Sequence, residues 1–126
     1  MTALSPLKAL VPEAWRQSLR SVQVALSFKH LSGPTKVALA PNEAAVTCVV
    51  KNGQFFLGQF LEHYFALGFK HVFLLDNGST DGTQEQAARQ QNVTVYQSTL
   101  PVGKYQGLLK RRLAEIAVPN GWCLDV

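Results

Sequence analysis

The sequence predicts an α/β domain with a mostly parallel sheet, and three observations lead there. Short apolar, β-branched runs alternate with helical periodicities along residues 44–126, in the order β-α-β-α-β-α-β. The links between them are short, which implies parallel strands joined by right-handed crossovers. One run, Val72-Phe73-Leu74-Leu75, is apolar throughout, as suits a strand covered on both faces.

Residues 1–11 carry no clear pattern and are expected to fray. A helix is predicted from Pro12 to about Leu26. Pro12 suits its first position, and Glu13 suits the positive end of its dipole. Trp15, Leu19, Val22 and Leu26 recur at helical spacing, which predicts an inward apolar face with Arg16, Gln17, Arg20 and Gln23 turned away. Such a helix packs on the domain or on a partner. A basic amphipathic leader is also compatible with a transit peptide or a membrane-surface helix, readings that are not favoured. His30 to Asn42 contains Gly33-Pro34 and Pro41-Asn42 and reads as a connector. Residues 1–43 thus form a leader, and residues 44–126 form the domain.

Ala44 to Lys51 is the first predicted strand, ended by Asn52-Gly53. Phe55 to Leu67 follows as a helix with a broad apolar face, closed by Gly68. His63 and His71 flank this unit without metal-ligand spacing and read as surface or packing residues. After the central strand come a short polar helix from Thr83 to about Gln91 and a strand at Val93–Gln97. A helix from Lys104 to Ala117 turns Leu108, Leu109, Leu113 and Ile116 inward. Trp122 to Val126 begins a fourth strand. A sheet strand with nothing after it to cover the sheet suggests a truncated chain.

Composition narrows the function classes. The 126 residues are 47% hydrophobic and 16% charged, ordinary for one small globular unit. The net charge of +4 sits in the first forty residues, where Lys8, Arg16, Arg20, Lys29 and Lys36 face Glu13 alone; the remainder balances. The domain itself has no basic excess, so no nucleic-acid partner is expected. There is no transmembrane run and no compact signal-peptide core. Cys48 and Cys123 are too few for a disulfide framework and are expected as reduced, core-facing thiols in a cytoplasmic protein.

The chemistry-bearing stretch is Asp76-Asn77-Gly78-Ser79-Thr80-Asp81-Gly82-Thr83. It places a carboxylate and an amide at the carboxyl end of a strand, the edge where open α/β sheets bind ligands. The same residues are also good turn-formers and helix caps, and the spacing alone does not separate the two roles.

Together with Asn52 after the first strand and Leu67-Gly68-Phe69 ending the first domain helix, this octet resembles glycosyltransferase family 2-like proteins of the GT-A fold. The resemblance covers about residues 45–126. It implies a Rossmann-like, GT-A type three-layer sandwich with strand order 3-2-1-4, incomplete at its C-terminus. It also implies the donor-binding part of an enzyme that moves a sugar from a nucleotide-diphosphate sugar to an unknown acceptor. Asp76 and Asn77 would sit by the base and ribose, and Lys51 and Asn52 would line the other side. Asp81 would join the binding residues, while Lys104 and Arg111 would approach from the third helix. Asp125 would stand at a D-x-D motif holding Mn²⁺ or Mg²⁺ in the full-length form. The catalytic base would lie past residue 126, so this chain alone would be inactive. The chain departs from the family pattern at Gly53, where relatives often carry Glu, and at Asn77, where many carry Asp. Lys104 and Arg111 also fit a solvated helix face. Strands one and four being neighbours in that order, Cys48 and Cys123 would approach each other. A non-catalytic nucleotide-binding or interaction remnant is the alternative. A dinucleotide enzyme is disfavoured by the lack of G-x-G-x-x-G after the first strand. The sequence does not give the oligomeric state.

Overall fold

The computed structural model describes residues 11–126. The elements run α1 (Glu13–Ser27), β1 (Lys29–Ser32), β2 (Ala44–Val50), α2 (Gln54–Ala66), β3 (His71–Asp76), α3 (Thr83–Ala88), β4 (Val93–Gln97), α4 (Val102–Ala117) and β5 (Trp122–Asp125). The expected fraying of the first eleven residues falls almost wholly outside the described residues. No helix among the described residues is long and apolar enough to cross a membrane.

The sheet has five strands in the order β1-β4-β3-β2-β5. Strands β2 to β5 pair in parallel, and β1 pairs antiparallel with β4. The expected four-strand order 3-2-1-4 is therefore corrected, because a fifth strand formed by the start of the connector extends the β4 edge. Its sequence, Lys-His-Leu-Ser, has no apolar alternation to announce it. It forms because β4 offers an edge with unpaired backbone groups, and covering such an edge removes a site for unwanted pairing. Leu31 packs on the core from this strand, and the His30 ring lies 5.5 Å from that of Tyr96.

Period-two alternation sends the strand side chains to two separate cores. Val46, Cys48 and Val50 of β2 join Val72 and Leu74 of β3 under Leu57 and Leu61 of α2 and Ala87 of α3. On the other face Ala45, Phe73 and Leu75 meet Tyr105, Leu109 and Leu113 of α4 and Val24 of α1. Helices thus cover both faces of the sheet, and β3 is buried along its whole length.

Helix α1 is turned the other way round from the expected packing. Val24 is its one buried residue, while Trp15, Leu19, Val22 and Leu26 are all exposed. Contacts from its opposite side hold it: Tyr105 Oη donates to Gln23 Oε1 at 2.8 Å, and the Ser27 and Ser98 hydroxyls lie 2.7 Å apart. Periodicity found the apolar stripe, but the docking face runs through Val24 instead.

Both cysteines are free thiols. Their strands are neighbours, yet Cys123 pairs with Ala45, which faces the α4 side, whereas Cys48 faces α2. The expected approach of the two thiols does not occur, because one residue of register puts them on opposite faces. Burial pushes the Cys48 thiol up to about 11, which keeps it protonated and unreactive.

His71 is a buried packing residue, and His63 lies exposed with its ring edge-on to Tyr64. Thr94 Oγ1 donates to the Pro34 carbonyl at 2.6 Å, so His71 Nε2, 2.7 Å from the same hydroxyl, must carry the proton that it donates to Thr94. Burial lowers the His71 pKa from its ordinary 6.5. The unfolded chain then takes up a proton that the folded chain refuses, so the His71 contribution is complete above pH 6.5 and declines as the pH falls below it. Urea midpoints measured from about pH 8 down to about pH 5.5 should show this decline, and His71→Gln should flatten it.

Candidate functional site

The loops after β2 and β3 form one stitched unit. Asp76 is 0% exposed, and both its oxygens are in use. Oδ2 accepts from Gly78 N at 3.0 Å, Ser79 N at 2.8 Å and Gln84 Nε2 at 2.7 Å, while Oδ1 accepts from Ser79 Oγ. This is an Asx-type turn closed on its own carboxylate. Ser79 Oγ in turn accepts from Asn52 N at 2.7 Å, and Asn52 Oδ1 accepts from Thr80 N at 2.8 Å. Asn52 takes a left-handed φ of 53°, which Asn tolerates better than other side chains.

Asp81 serves the same scaffold. Its Oδ1 accepts from Thr83 N at 3.0 Å and from the Thr83 hydroxyl, and its Oδ2 accepts from Gln54 N at 3.1 Å, at the start of α2. The Thr83 hydroxyl bond, helped by the backbone donors, lowers the Asp81 pKa. Buried Thr83 Oγ1 also accepts from Gly53 N at 2.9 Å. Gly53 has no room for a larger residue as the loop stands. A Cβ there would meet Val50 Cγ2 at 2.5 Å and the Phe56 ring at 2.6 Å, so Phe56 would have to move to admit the Glu of the family pattern.

Beside this unit a cleft of about 600 Å³ opens at the carboxyl ends of the strands. It is lined by Val49, Val50 and Lys51 after β2, Asn77 after β3, Val126 after β5, and Pro101, Val102, Gln106 and Lys110 of α4 and its approach. Two of the eight residues named from the sequence, Lys51 and Asn77, therefore line it. Asn77 spends both amide protons on the Ser98 and Leu100 carbonyls, at 2.7 and 2.8 Å, which fixes the mouth between β3 and β4. Asn52, Asp76 and Asp81 are not among its lining residues and serve as loop organisers. A carboxylate whose oxygens already accept four bonds has no free face for a ribose or a base.

Lys104 and Arg111 lie elsewhere. Lys104 sits over the Tyr105 ring, 5.4 Å from its centroid, in a groove between α1 and α4. Arg111 Nε donates to Glu115 Oε1 at 3.1 Å on the outer side of α4. The residues of α4 that reach the cleft are Val102, Gln106 and Lys110, spaced four apart on a different line of the helix. That i, i+4, i+8 spacing was the available signal for Gln106 and Lys110, which sequence reasoning missed.

Asp125 pairs with the cleft residue Lys110, Oδ2 to Nζ 3.1 Å, and is not itself among the lining residues. No group of three or more His, Cys, Asp or Glu that could hold a metal exists among the described residues. A divalent cation takes about six oxygen ligands. One carboxylate already held by an ammonium does not compose that site, so the described residues alone do not fit the expected Mn²⁺ or Mg²⁺.

The placement of the cleft follows from the topology. From β2 the chain steps to β3 and β4 on one side and later returns to β5 on the other. The strand order reverses between β2 and β5, and the crevice outside the carboxyl ends at such a switch point is where open α/β sheets bind ligands. Comparisons of the chain with protein families, with curated proteins and with solved structures returned no match.

Proposed function

We propose that residues 44–126 are the donor-binding half of a GT-A type glycosyltransferase and that the switch-point cleft receives a nucleotide-diphosphate sugar. The observation that carries this reading is the pair of lysines, Lys51 and Lys110, lining one cleft at the point of strand reversal. A diphosphate carries at least two negative charges, and two ammonium groups from different elements can bracket it. Helix α4 begins at the same cleft with no side chain capping its N-terminus, so its dipole adds to the attraction for an anion. Gln106 supplies an amide able to donate to and accept from a ribose or a base. The Asp76 loop acts through positioning, by fixing Asn77 and the turn that carries Lys51.

A second reading is a non-catalytic nucleotide-binding module. No carboxylate, histidine, cysteine or serine side chain is among the residues lining the cleft, and its two lysines are assigned to the diphosphate. Both readings share the same binding step. Binding, and not transfer, is what these residues are proposed to perform.

Titration with uridine and guanosine diphosphates, and with the bare nucleosides, tests that step. Diphosphates should bind at least about tenfold tighter than nucleosides, and Lys51→Ala should remove most of the difference, since a charge-assisted contact is worth roughly 1.5–3 kcal/mol. Equal affinity for nucleoside and diphosphate, or a Lys51→Ala chain that binds like the parent, would overturn the assignment.

A further inference from the structure

We infer that the outward face of α1 is a docking surface for an anionic lipid membrane. The inference stands apart from the nucleotide reading, since it uses neither the cleft nor its loops. Trp15 is 67% exposed, Leu19 64%, Val22 56% and Leu26 81%. At intervals of four, three and four these residues form one continuous stripe along a fifteen-residue helix. A helix that buries one residue and exposes four large apolar ones is presenting that stripe to something other than its own domain.

Charge on the page identifies the occupant. The groove that runs along the stripe at Leu19 is lined by Arg16, Arg20 and Lys104. Among the described residues, neither Arg20 nor Lys104 has a carboxylate within 4 Å, and Arg16 meets only Glu13 at 3.6 Å. The first forty residues carry the whole net charge of +4. An apolar stripe with a tryptophan and a cationic flank is the arrangement of a helix that lies in the membrane interface, its apolar face among the acyl chains and its cations among the headgroups. A protein partner of average surface would match the stripe but leave Arg20 and Lys104 without counter-charge. Negatively charged headgroups match both.

The test uses the full chain carrying Trp122→Phe, which leaves Trp15 as the sole tryptophan reporter. Trp122 is 74% exposed, so its replacement leaves the core untouched. Vesicles of phosphatidylcholine alone are compared with vesicles containing about one third phosphatidylglycerol. Trp15 emission should shift to the blue on the anionic vesicles, and partitioning should exceed that on neutral ones by about tenfold or more. Raising the salt should reduce the excess, because the attraction is screened over a Debye length. Leu19→Glu/Leu26→Glu should abolish binding, and Arg20→Gln/Lys104→Gln should erase the preference for anionic lipid. Leu19, Leu26 and Lys104 are exposed and Arg20 is half-buried, so none of the four belongs to the core and circular dichroism should show each variant folded. Equal partitioning onto both vesicle types overturns the anionic-surface assignment. A chain that ignores vesicles but forms a concentration-dependent dimer, dissolved by Leu19→Glu/Leu26→Glu, overturns the proposal in favour of a second copy. A monomer that ignores vesicles overturns it outright.

Discussion

Asp76→Ala is expected to lower the unfolding free energy by about 3–5 kcal/mol, the largest loss of any single substitution considered for this chain. The carboxylate is wholly buried and accepts four hydrogen bonds from three residues of its own loop and the start of α3. Truncation strands the Gly78 and Ser79 N–H groups and the Gln84 amide at once, and each stranded donor costs about 1–3 kcal/mol unless water reaches it. The damage spreads because Ser79 also holds Asn52, so the loop carrying Lys51 loses its tie to β3. Denaturant midpoints read the loss, with an unchanged slope showing that the unfolded state is not the cause. Ser79→Ala, which breaks the link but leaves the carboxylate bonded to backbone, should cost only about 1 kcal/mol. A diphosphate titration of the same Asp76→Ala chain should show weakened binding although Asp76 lies outside the cleft. A stability loss under about 1 kcal/mol would mean that the loop is held by its backbone alone.

Asp76 also shows what a sequence can and cannot disclose. Its position at the tip of an apolar strand, followed by Asn-Gly, was legible from residue types, because φ preferences and burial are local properties. Whether its oxygens face a ligand or their own turn depends on where Ser79 and Gln84 end, and that is decided only when the loop closes. The octet's turn-forming role is what its hydrogen bonds show, and direct contact with a ligand does not follow from the residue types.

Helix α4 gives the complementary case. Lys104 and Arg111 share one line of the helix, and Gln106 and Lys110 share another; each pair is a fair candidate while the apolar face between them is all that periodicity fixes. The tilt at which Tyr105, Leu109 and Leu113 lie across Phe73 and Leu75 selects which line meets the cleft. For α1 the pattern located the stripe but not what covers it, since a hydrophobic period reports a face and never its occupant. Strand β1 was invisible for a different reason. Its four residues form a strand by pairing with residues more than sixty positions away, and no local propensity encodes that.

Lys110 and Asp125 provide the most discriminating binding experiment. The pair is 3.1 Å apart with side chains 31% and 42% exposed. A half-exposed ion pair contributes at most about 1 kcal/mol to stability, so either residue can be changed with the fold intact. Binding is another matter. Lys110 must leave, or share, its partner to meet a diphosphate, and Asp125 therefore competes with the ligand for the same ammonium. Lys110→Ala should weaken diphosphate binding by about tenfold or more, the worth of one charge-assisted contact. Asp125→Asn should act in the opposite direction and tighten binding by about threefold to tenfold, since it removes both the competing partner of Lys110 and a repelling charge behind that lysine. In the double variant the gain from Asp125→Asn should shrink to the repulsive part alone, because there is no lysine left to release; the non-additivity measures the coupling. If Asp125→Asn instead weakened binding in the presence of a divalent cation and had no effect without one, the carboxylate would be acting toward a metal and the competition argument would fall. If neither substitution moved the affinity, the phosphates would lie outside this cleft, and Lys110 would be no more than the partner of a strand-end carboxylate.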